Sequence, residues 1–308
     1  MTRLILFFIL VAGTLISCTP DKEYNIDNYP SQITFQSNGG NTGGTTGGTD
    51  GNDEGPCQSG LVSGANPTGD FSTLIWADEF DTGNSFCIEN WTAEIGTGCP
   101  NLCGWGNGEA QYYTAREENV KIEDGILKIK AKKENYQNSQ YTSTRIKTQG
   151  KFDFTYGKVE VRAKLPTGGG TWPAIWMLGS NITTVSWPAC GEIDIMEHVG
   201  NDQNSVHSSL HTPSSYGGTI NTSTYQVNNA SQAFNVYAMQ WDANKIEFFL
   251  NGNSVYTYQP NVKNDDTWPF NSPQFLLLNV AMGGGFGGTI DPNFSESAME
   301  IDYVRVYQ

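Results

Sequence analysis

The sequence predicts an all-β fold, an antiparallel sandwich of two sheets with roughly a dozen or more strands. Three observations favour this fold: segments in which apolar and charged residues alternate, a hairpin signal, and the lack of a convincing amphipathic helix pattern. Gly is abundant, at 35 residues, and aromatic residues make up 12% of the chain. Both features are typical of β-proteins with tight turns, and flat aromatic rings also suit stacking surfaces.

Individual strands follow from local patterns. Residues 127–132 and 159–165 alternate between apolar and charged side chains, which predicts half-buried strands. An Asn251-Gly252 pair between two apolar segments predicts a hairpin, because these residues readily take the positive φ angles of a type I′ turn. Residues 275–282 are apolar apart from Asn279 and predict a strand buried on both faces.

Charge and composition disfavour several partners. The formal net charge is -15, from 17 basic and 32 acidic residues, and the chain has no Lys/Arg-rich run. Nucleic acid and anionic lipid surfaces are therefore disfavoured, because a polyanion is repelled over about a Debye length. Sulfated or carboxylated polysaccharides are disfavoured for the same reason. The charge favours a neutral ligand.

The first 18 residues predict an export signal that ends in a lipidated cysteine. The apolar segment Leu4–Ile16 follows Arg3 and is too short to span a bilayer comfortably. The residues LISC at 15–18 resemble the bacterial lipoprotein signal, in which Cys18 becomes the acylated first residue of the mature protein. The alternative is an ordinary cleaved signal in which Cys18 is incidental.

Composition divides the chain into three parts. Residues 1–18 are the signal, residues 19–56 are a flexible tether, and residues 57–308 are the folded domain. Within the tether, residues 37–55 are almost wholly Gly, Thr, Asn, Ser and Asp, which bury too little apolar surface to offset the entropy of ordering. We expect a monomer that its lipid anchor holds at the outer membrane of a Gram-negative bacterium. The acidic flank at 21–23 favours display at the cell surface.

The cysteines predict disulfides and one free thiol. Without the lipidated residue five remain, an odd number in an oxidising compartment. Cys99 and Cys103 enclose only three residues and could close a small loop, while Cys57 could pin the start of the domain to Cys87. Cys190 is then left as a buried thiol.

Three carboxylates lie close together, at Glu192, Asp194 and Glu197, in a strand-like context. On a regular strand Glu192 and Asp194 project to one face and Glu197 to the other. A β-bulge at Ile195-Met196 would bring Glu197 back to the face of the other two. The sequence therefore predicts a bulge, with the two glutamate carboxyl groups near the about 5 to 5.5 Å of a retaining glycosidase.

This arrangement predicts double displacement at a glycosidic bond. Glu192 would attack the anomeric carbon, and Glu197 would protonate the departing oxygen and later deprotonate the incoming water. Asp194 would hydrogen-bond Glu192, and its charge would help keep Glu197 protonated. Two alternatives stay open, a solvated acidic strand edge and a calcium site, since carboxylate clusters also bind hard cations.

From Leu74 to Gln308 the chain resembles glycoside hydrolase family 16, and within it the laminarinase branch of endo-β-1,3-glucanases. The motifs that carry the resemblance are WADEFD (76–81), GWGNGEAQYYT (104–114), GKVEVRAKLP (157–166), TWPAIWML (171–178), WPACGEIDIMEHVG (187–200), VHSSLH (206–211) and DYVRVYQ (302–308). The resemblance implies a β-jelly-roll sandwich of the concanavalin A-like lectin/glucanase type. It also implies a concave sheet that forms an open cleft.

The resemblance further implies the roles of site residues. Glu192 would be the nucleophile, Asp194 its helper and Glu197 the acid/base, and the extra residue Met196 matches the bulged form common in laminarinases. No cofactor is implied for catalysis. The positions that match the family's substrate groove are Asn107, Arg145, Trp172, Trp176, Trp187 and His211, each of which could instead be structural.

A structural calcium site away from the cleft is another implication of the resemblance. Its ligands would be Glu79, the carbonyl of Gly125 and Asp302, all oxygen donors suited to calcium. An ordinary hydrogen-bonded strand end would explain the same residues. The family's GWGNNE motif is GWGNGE here, with Gly108 in place of the second Asn and a cysteine-bearing insertion before it. These departures affect the fine substrate preference.

The predicted function is hydrolysis of internal β-1,3 bonds in a neutral, laminarin-type β-glucan with retention of configuration. Two other activities stay open: hydrolysis of mixed-linkage β-1,3-1,4-glucan and hydrolysis of a galactan such as agar. A non-catalytic glucan-binding lipoprotein would share the fold. Such relatives typically lack the catalytic glutamates, and all three carboxylates are present here.

Overall fold

The computed structural model describes residues 70–308. The predicted signal, the predicted tether, the predicted lipidation site Cys18 and the predicted disulfide partner Cys57 lie outside the described residues. Among residues 70–308, no helix has the length and apolar character that crossing a membrane requires.

Strands make up nearly all of the regular structure in this part of the chain. They are β1 (Leu74–Asp78), β2 (Thr92–Glu94), β3 (Gln111–Tyr113), β4 (Val120–Glu123), β5 (Ile126–Tyr136), β6 (Ser139–Ser143), β7 (Arg145–Lys147), β8 (Gly157–Lys164), β9 (Thr171–Gly179), β10 (Glu192–His198), β11 (Ser205–His211), β12 (Thr222–Gln226), β13 (Asn235–Trp241), β14 (Ile246–Leu250), β15 (Asn253–Tyr258), β16 (Gln274–Met282) and β17 (Glu296–Tyr307). The helical segments are short, with two 3-10 turns at Cys103–Gly106 and Ser180–Thr183 and one α-helical turn, α1, at Gly284–Gly287.

The strands form two sheets that enclose one main core. The larger sheet has ten strands, in the order β15-β14-β13-β8-β17-β5-β6-β3, with β1 paired to β17 and β4 paired to β5. The smaller sheet has seven strands, in the order β12-β11-β10-β9-β16-β7-β2. Among the described strands, β3 and β6 pair in parallel and the other pairs are antiparallel. The predicted antiparallel sandwich is confirmed.

The alternating segments supply the core side of the larger sheet. Leu127, Ile129 and Ala131 of β5 are fully buried, as are Val159 and Val161 of β8. The charged residues between them stay partly exposed on the opposite face. Because burying a large aliphatic side chain contributes about 1.5 to 3 kcal/mol, this alternation fixes which face of each strand points inward.

Strand β16 is buried along its whole length, as its apolar sequence predicts. Leu276 and Leu278 point into the main core, whereas Phe275 and Leu277 pack on the other face of the smaller sheet. The second cluster on that face, called the outer cluster, contains Leu178, Ile182, Cys190, Phe275 and Leu277, with Trp176, Val185 and Trp187 packed against it. The outer cluster therefore supports aromatic side chains outside the sandwich core.

The cysteines largely follow the prediction. Cys99 and Cys103 form a disulfide, and Cys190 is buried and free. Cys87 is also disulfide-bonded. Its predicted partner, Cys57, lies outside the described residues, so that pairing stays a prediction.

The predicted hairpin is formed by β14 and β15. Leu250 pairs with Asn253, which leaves Asn251 and Gly252 as the two turn residues. Their φ angles are 49° and 80°, positive as a type I′ turn requires.

Candidate active site

Strand β10 carries the three carboxylates and contains the predicted bulge. Asp194 pairs with Ser209 of β11, but the next pair is Glu197 with His207, so β10 has one residue more than its partner. The register with β9 shifts at the same place, between Asp194 and Met196. The prediction of a bulge is confirmed.

The bulge turns Ile195 and Met196 into the core, where they are 1% and 0% exposed. On the neighbouring strand β9, the residues that pair with Glu192, Asp194 and Glu197 are Leu178, Trp176 and Ala174. These partners are alternate residues of one strand and share a face. All three acidic side chains therefore lie on the outer face of the smaller sheet, called the carboxylate face.

Two neighbours hold Glu192. Trp187 Nε1 donates a 2.8 Å hydrogen bond to Oε2, and His211 Nε2 lies 3.7 Å from Oε1. Burial raises the pKa of Glu192, the charge of Asp194 raises it further, and His211 lowers it. The adjacent imidazolium and indole stabilise the ionised form, which is the form a nucleophile needs.

His211 contacts two of the carboxylates. Its Nε2 lies 3.1 Å from Asp194 Oδ2. Burial alone would lower the pKa of His211, but the charges of Glu192 and Asp194 outweigh burial and raise the pKa to about 10. The predicted hydrogen bond between Asp194 and Glu192 was wrong. Asp194 Oδ2 faces His211 Nε2 instead, at 3.1 Å.

A calcium site was the alternative prediction for the three carboxylates Glu192, Asp194 and Glu197. Ligand atoms of Glu192, Asp194 and His211 lie within 4.8 Å of one another. However, His211 Nε2 faces both carboxylates, at 3.1 Å from Asp194 and 3.7 Å from Glu192, and so already compensates their charge where a cation would bind. This geometry favours a catalytic cluster over a cation site.

Glu197 lies in a different electrostatic environment. Trp172 Nε1 donates a 3.0 Å hydrogen bond to Oε1. Burial is the main cause that raises the pKa of Glu197, and Asp194 raises it further. Among residues 70–308, no cationic side chain lies within ion-pair distance of Glu197, whereas Glu192 has His211. The surroundings favour a protonated Glu197 beside an ionised Glu192.

The three predicted tryptophans stand on the carboxylate face. Trp172 and Trp187 donate to the two glutamates, and Trp176 Nε1 donates a 2.8 Å hydrogen bond to Asn279 Oδ1. All three rings are partly exposed. Partly exposed indoles beside acidic side chains suit the apolar faces of pyranose rings, so their placement supports the predicted substrate contacts.

Arg145 is buried, which limits the contact that its side chain can make with a substrate. It is 6% exposed, and its guanidinium carbon lies 4.6 Å from the ring centroid of Trp105 and 4.8 Å from that of Trp176. It also forms an ion pair with Glu94. A buried guanidinium requires such a partner. Arg145 therefore supports Trp176, and its direct contact with substrate stays a prediction.

Asn107 contacts a half-buried residue, Glu109, that was not predicted. Its Nδ2 donates to Glu109 Oε1 at 3.2 Å. Glu109 Oε2 also accepts hydrogen bonds from Gln111 at 2.6 Å and from Tyr113 at 3.1 Å. Burial raises the pKa of Glu109. The signal that could have identified Glu109 is its place as the last residue of the GWGNGE motif.

Phe286, which was not predicted, and His207 also belong to the carboxylate face. The Phe286 ring centroid is 5.5 Å from that of Trp172 and 5.0 Å from that of His207, both edge to face. His207 pairs with Glu197 across β10 and β11. The available signals were the glycine-rich turn around Phe286 and the two-residue spacing of alternate side chains up to His211.

The predicted calcium ligands are engaged by the protein itself. Arg305 donates two 2.7 Å hydrogen bonds to Glu79, and Arg162 pairs with Asp302 at 2.5 Å. Gly125 lies in the turn between β4 and β5. Calcium would have to displace two guanidinium groups to reach these carboxylates. As arranged here, the donor set does not fit calcium.

The fold and this face together define a class of protein. Two half-buried carboxyl groups on one strand face, each with a raised pKa and only one of them within ion-pair distance of an imidazole, are flanked by tryptophan rings on a β-sandwich. This arrangement is the machinery of a glycoside hydrolase.

Comparisons with known proteins give the family. The family model described as Glycosyl hydrolases family 16 matches residues 107–305. A laminarinase from Flavobacterium sp. UMI-01 is 49% identical, with a TM-score of 0.72, over 77% of this chain and 100% of that chain. The laminarinase catalytic domain from Thermotoga maritima MSB8 is 41% identical, with a TM-score of 0.71, over 77% and 98%. A beta-glucanase from Rhodothermus marinus is 43% identical over 76% of this chain and 85% of that protein.

The chain belongs to glycosyl hydrolase family 16. The predicted enzyme class and the jelly-roll sandwich are confirmed by this membership.

Proposed function

We propose that the protein is an endo-acting β-1,3-glucanase that cleaves laminarin-type glucan with retention of configuration. The observation that carries the proposal is the bulge in β10, which places Glu192, Asp194 and Glu197 on one face. The similarity to proteins named as laminarinases supports the linkage.

In the first step, the ionised Glu192 attacks the anomeric carbon and forms an ester bond to it. The glycosidic bond from that carbon to the leaving oxygen breaks, and Glu197 transfers its proton to this oxygen. Trp187 and His211 orient Glu192 for the attack through the contacts at 2.8 Å and 3.7 Å. Asp194 favours the protonated state of Glu197 before the step.

In the second step, Glu197 is a carboxylate and accepts a proton from water. The water oxygen bonds to the anomeric carbon as the ester to Glu192 breaks. Glu192 leaves as a carboxylate and Glu197 is protonated again, so both residues return to their starting states. Two displacements on one carbon retain the β configuration.

The release of reducing ends from laminarin, lichenan and agarose tests the substrate. We expect the highest kcat/KM on laminarin, and the Glu192→Gln variant is the matched inactive control. Preferential cleavage of lichenan or agarose would assign the mixed-linkage or galactan activity instead. Binding of laminarin without any cleavage by the wild-type protein would mean a non-catalytic glucan-binding protein.

The cellular location is a separate proposal. A lipid anchor on Cys18 would hold a monomeric enzyme at the outer membrane, where the predicted tether would let it reach polysaccharide outside the cell. Mass spectrometry of the mature N-terminus tests this, with Cys18→Ser as the control. An unacylated mature chain that begins elsewhere would contradict it.

Calcium binding near Glu79 is predicted by the resemblance, while the two ion pairs argue against it. Thermal unfolding with excess Ca²⁺ and with a chelator decides between them. An increase in Tm with Ca²⁺ that Glu79→Gln removes would show that the ion displaces Arg305. An unchanged Tm would leave the arginine pairs as the stabilising contacts.

A further inference from the structure

Asn279 is the one polar residue in the apolar segment 275–282, and it has no role in the proposed mechanism. It is 6% exposed and lies between β7 and β9, opposite Arg145 on one side and Ala174 on the other. A buried amide costs free energy unless its polar atoms are hydrogen-bonded. The hydrogen bonds of Asn279 therefore indicate its role.

The side-chain amide of Asn279 both accepts and donates a hydrogen bond. Asn279 Oδ1 accepts from Trp176 Nε1 at 2.8 Å, and Nδ2 donates to the Tyr113 hydroxyl at 3.2 Å. Tyr113 in turn lies 3.1 Å from Glu109 Oε2 and donates to it. Because an indole N–H can only donate and a carboxylate only accepts, this chain of bonds fixes the orientation of the amide.

The hydrogen bond acts on a ring in the carboxylate face. Trp176 pairs with Asp194 in the register of β9 and β10, packs on the outer cluster, and has the Arg145 guanidinium over its ring. These contacts are apolar or stacking contacts, which do not fix the rotation of the indole within its own plane. That rotation is fixed by the single hydrogen bond from the indole N–H. Asn279 is the acceptor of that hydrogen bond.

We propose that Asn279 is a positioning residue, which holds the Trp176 indole in the orientation that stacks on a sugar ring of the bound glucan. This inference rests on the proposed function, since it assigns a substrate contact to Trp176. Among residues 70–308, Asn279 makes no hydrogen bond to Glu192, Asp194 or Glu197. It acts on binding and not on the chemical step.

The consequence is a separation of kinetic parameters. Asn279→Leu removes both hydrogen bonds at similar volume, and we expect KM for laminarin to rise about tenfold while kcat stays within about twofold. Asn279→Asp keeps an acceptor for the indole N–H, so its KM should lie closer to that of the wild type. A purely structural role would lower Tm without this order of KM values.

Two further variants complete the test. The Thr148 hydroxyl donates a hydrogen bond to the Phe152 carbonyl and accepts one from the backbone N–H of Leu276 in β16, and it does not contact Trp176. Thr148→Val removes both hydrogen bonds. We expect it to lower Tm and leave KM unchanged. Trp176→Phe removes the N–H donor, so Asn279→Leu in that background should change KM by less than about twofold.

An unchanged KM in Asn279→Leu, or equal effects of that substitution in the wild-type and Trp176→Phe backgrounds, would overturn the inference. If the wild-type protein releases no reducing ends from laminarin, the proposed function fails first, and that result is distinct from an active enzyme in which Asn279 is dispensable.

Discussion

At the scale of single residues, two identical side chains on one strand acquire different chemistry from their neighbours. Both Glu192 and Glu197 have a pKa raised by burial and by Asp194. His211 approaches Glu192 to 3.7 Å and is in ion-pair distance of Asp194, but not of Glu197. The closer approach of this imidazole to Glu192 favours Glu192 as the nucleophile and Glu197 as the acid.

Replacement of the nucleophile tests the first of these roles. We expect Glu192→Gln to reduce kcat on laminarin by at least about a thousandfold, because an amide does not form the glycosyl ester. The tryptophan faces stay in place, so binding measured by affinity electrophoresis in laminarin should be retained. Full activity of this variant would refute the assignment of Glu192.

His211 sets the acid limb of the pH profile. Its charge lowers the pKa of Glu192 and of Glu197. Loss of the charge in His211→Gln therefore raises the pKa of Glu192, which must be ionised to attack. We expect the acid limb of kcat/KM to move to higher pH by about one unit, whereas His207→Gln should leave it in place. A shift to lower pH in His211→Gln would contradict this account.

The identity of the acidic residues was predictable from the sequence, and their contacts were only partly so. Glu192, Asp194 and Glu197 lie on one strand, where parity and a single bulge after Asp194 locate them. The partner of Asp194 comes from β11, and the Asn279 bond to Trp176 joins β16 to β9. Such contacts depend on which strands become neighbours, and this information is not local.

At the scale of elements, the bulge in β10 decides which side chains share a face. Glu192 and Asp194 have the same parity, and Glu197 joins them because Ile195 and Met196 both turn into the core. The hairpin of β14 and β15 was predictable for a similar reason, since the Asn251-Gly252 turn is determined by two adjacent residues. The order of strands in each sheet was not predicted, because it depends on pairings between distant segments.

Deletions in β10 test the parity argument. Removing Met196 straightens the strand, and the second glutamate then follows Asp194 by two positions and still faces the carboxylate side. We expect this variant to keep measurable activity, with a stability loss of about 2 to 5 kcal/mol from the missing core side chain. Removing Ile193 instead puts Glu192 and Asp194 on opposite faces and should abolish turnover. Equal activity of the two deletions, measured on laminarin after thermal melts confirm folding, would contradict the role of the bulge.

At the scale of the whole molecule, the sandwich combines one large core with an acidic surface. The net charge of -15 would repel polyanions, while a neutral glucan has no charge to repel. The outer cluster lies apart from the main core and supports Trp176 and Trp187 on the carboxylate face. We therefore expect a neutral glucan to bind through ring faces and hydrogen bonds and not through ion pairs.

Salt dependence follows from this surface. We expect KM for laminarin to change less than about twofold between about 20 mM and about 500 mM NaCl, because screening does not alter the binding of a neutral chain. A steep change of this KM with added salt, seen in the same reducing-end assay, would contradict the expectation that laminarin binds without ion pairs.

The stereochemistry of the first product tests the central claim most directly. If the bulge brings Glu192 and Glu197 together for double displacement, proton NMR of laminari-oligosaccharide hydrolysis shows the β-anomer first, and the α-anomer appears only as the sugar mutarotates. An initial α-anomer would mean a single displacement by water and would contradict the assignment of Glu192 as nucleophile.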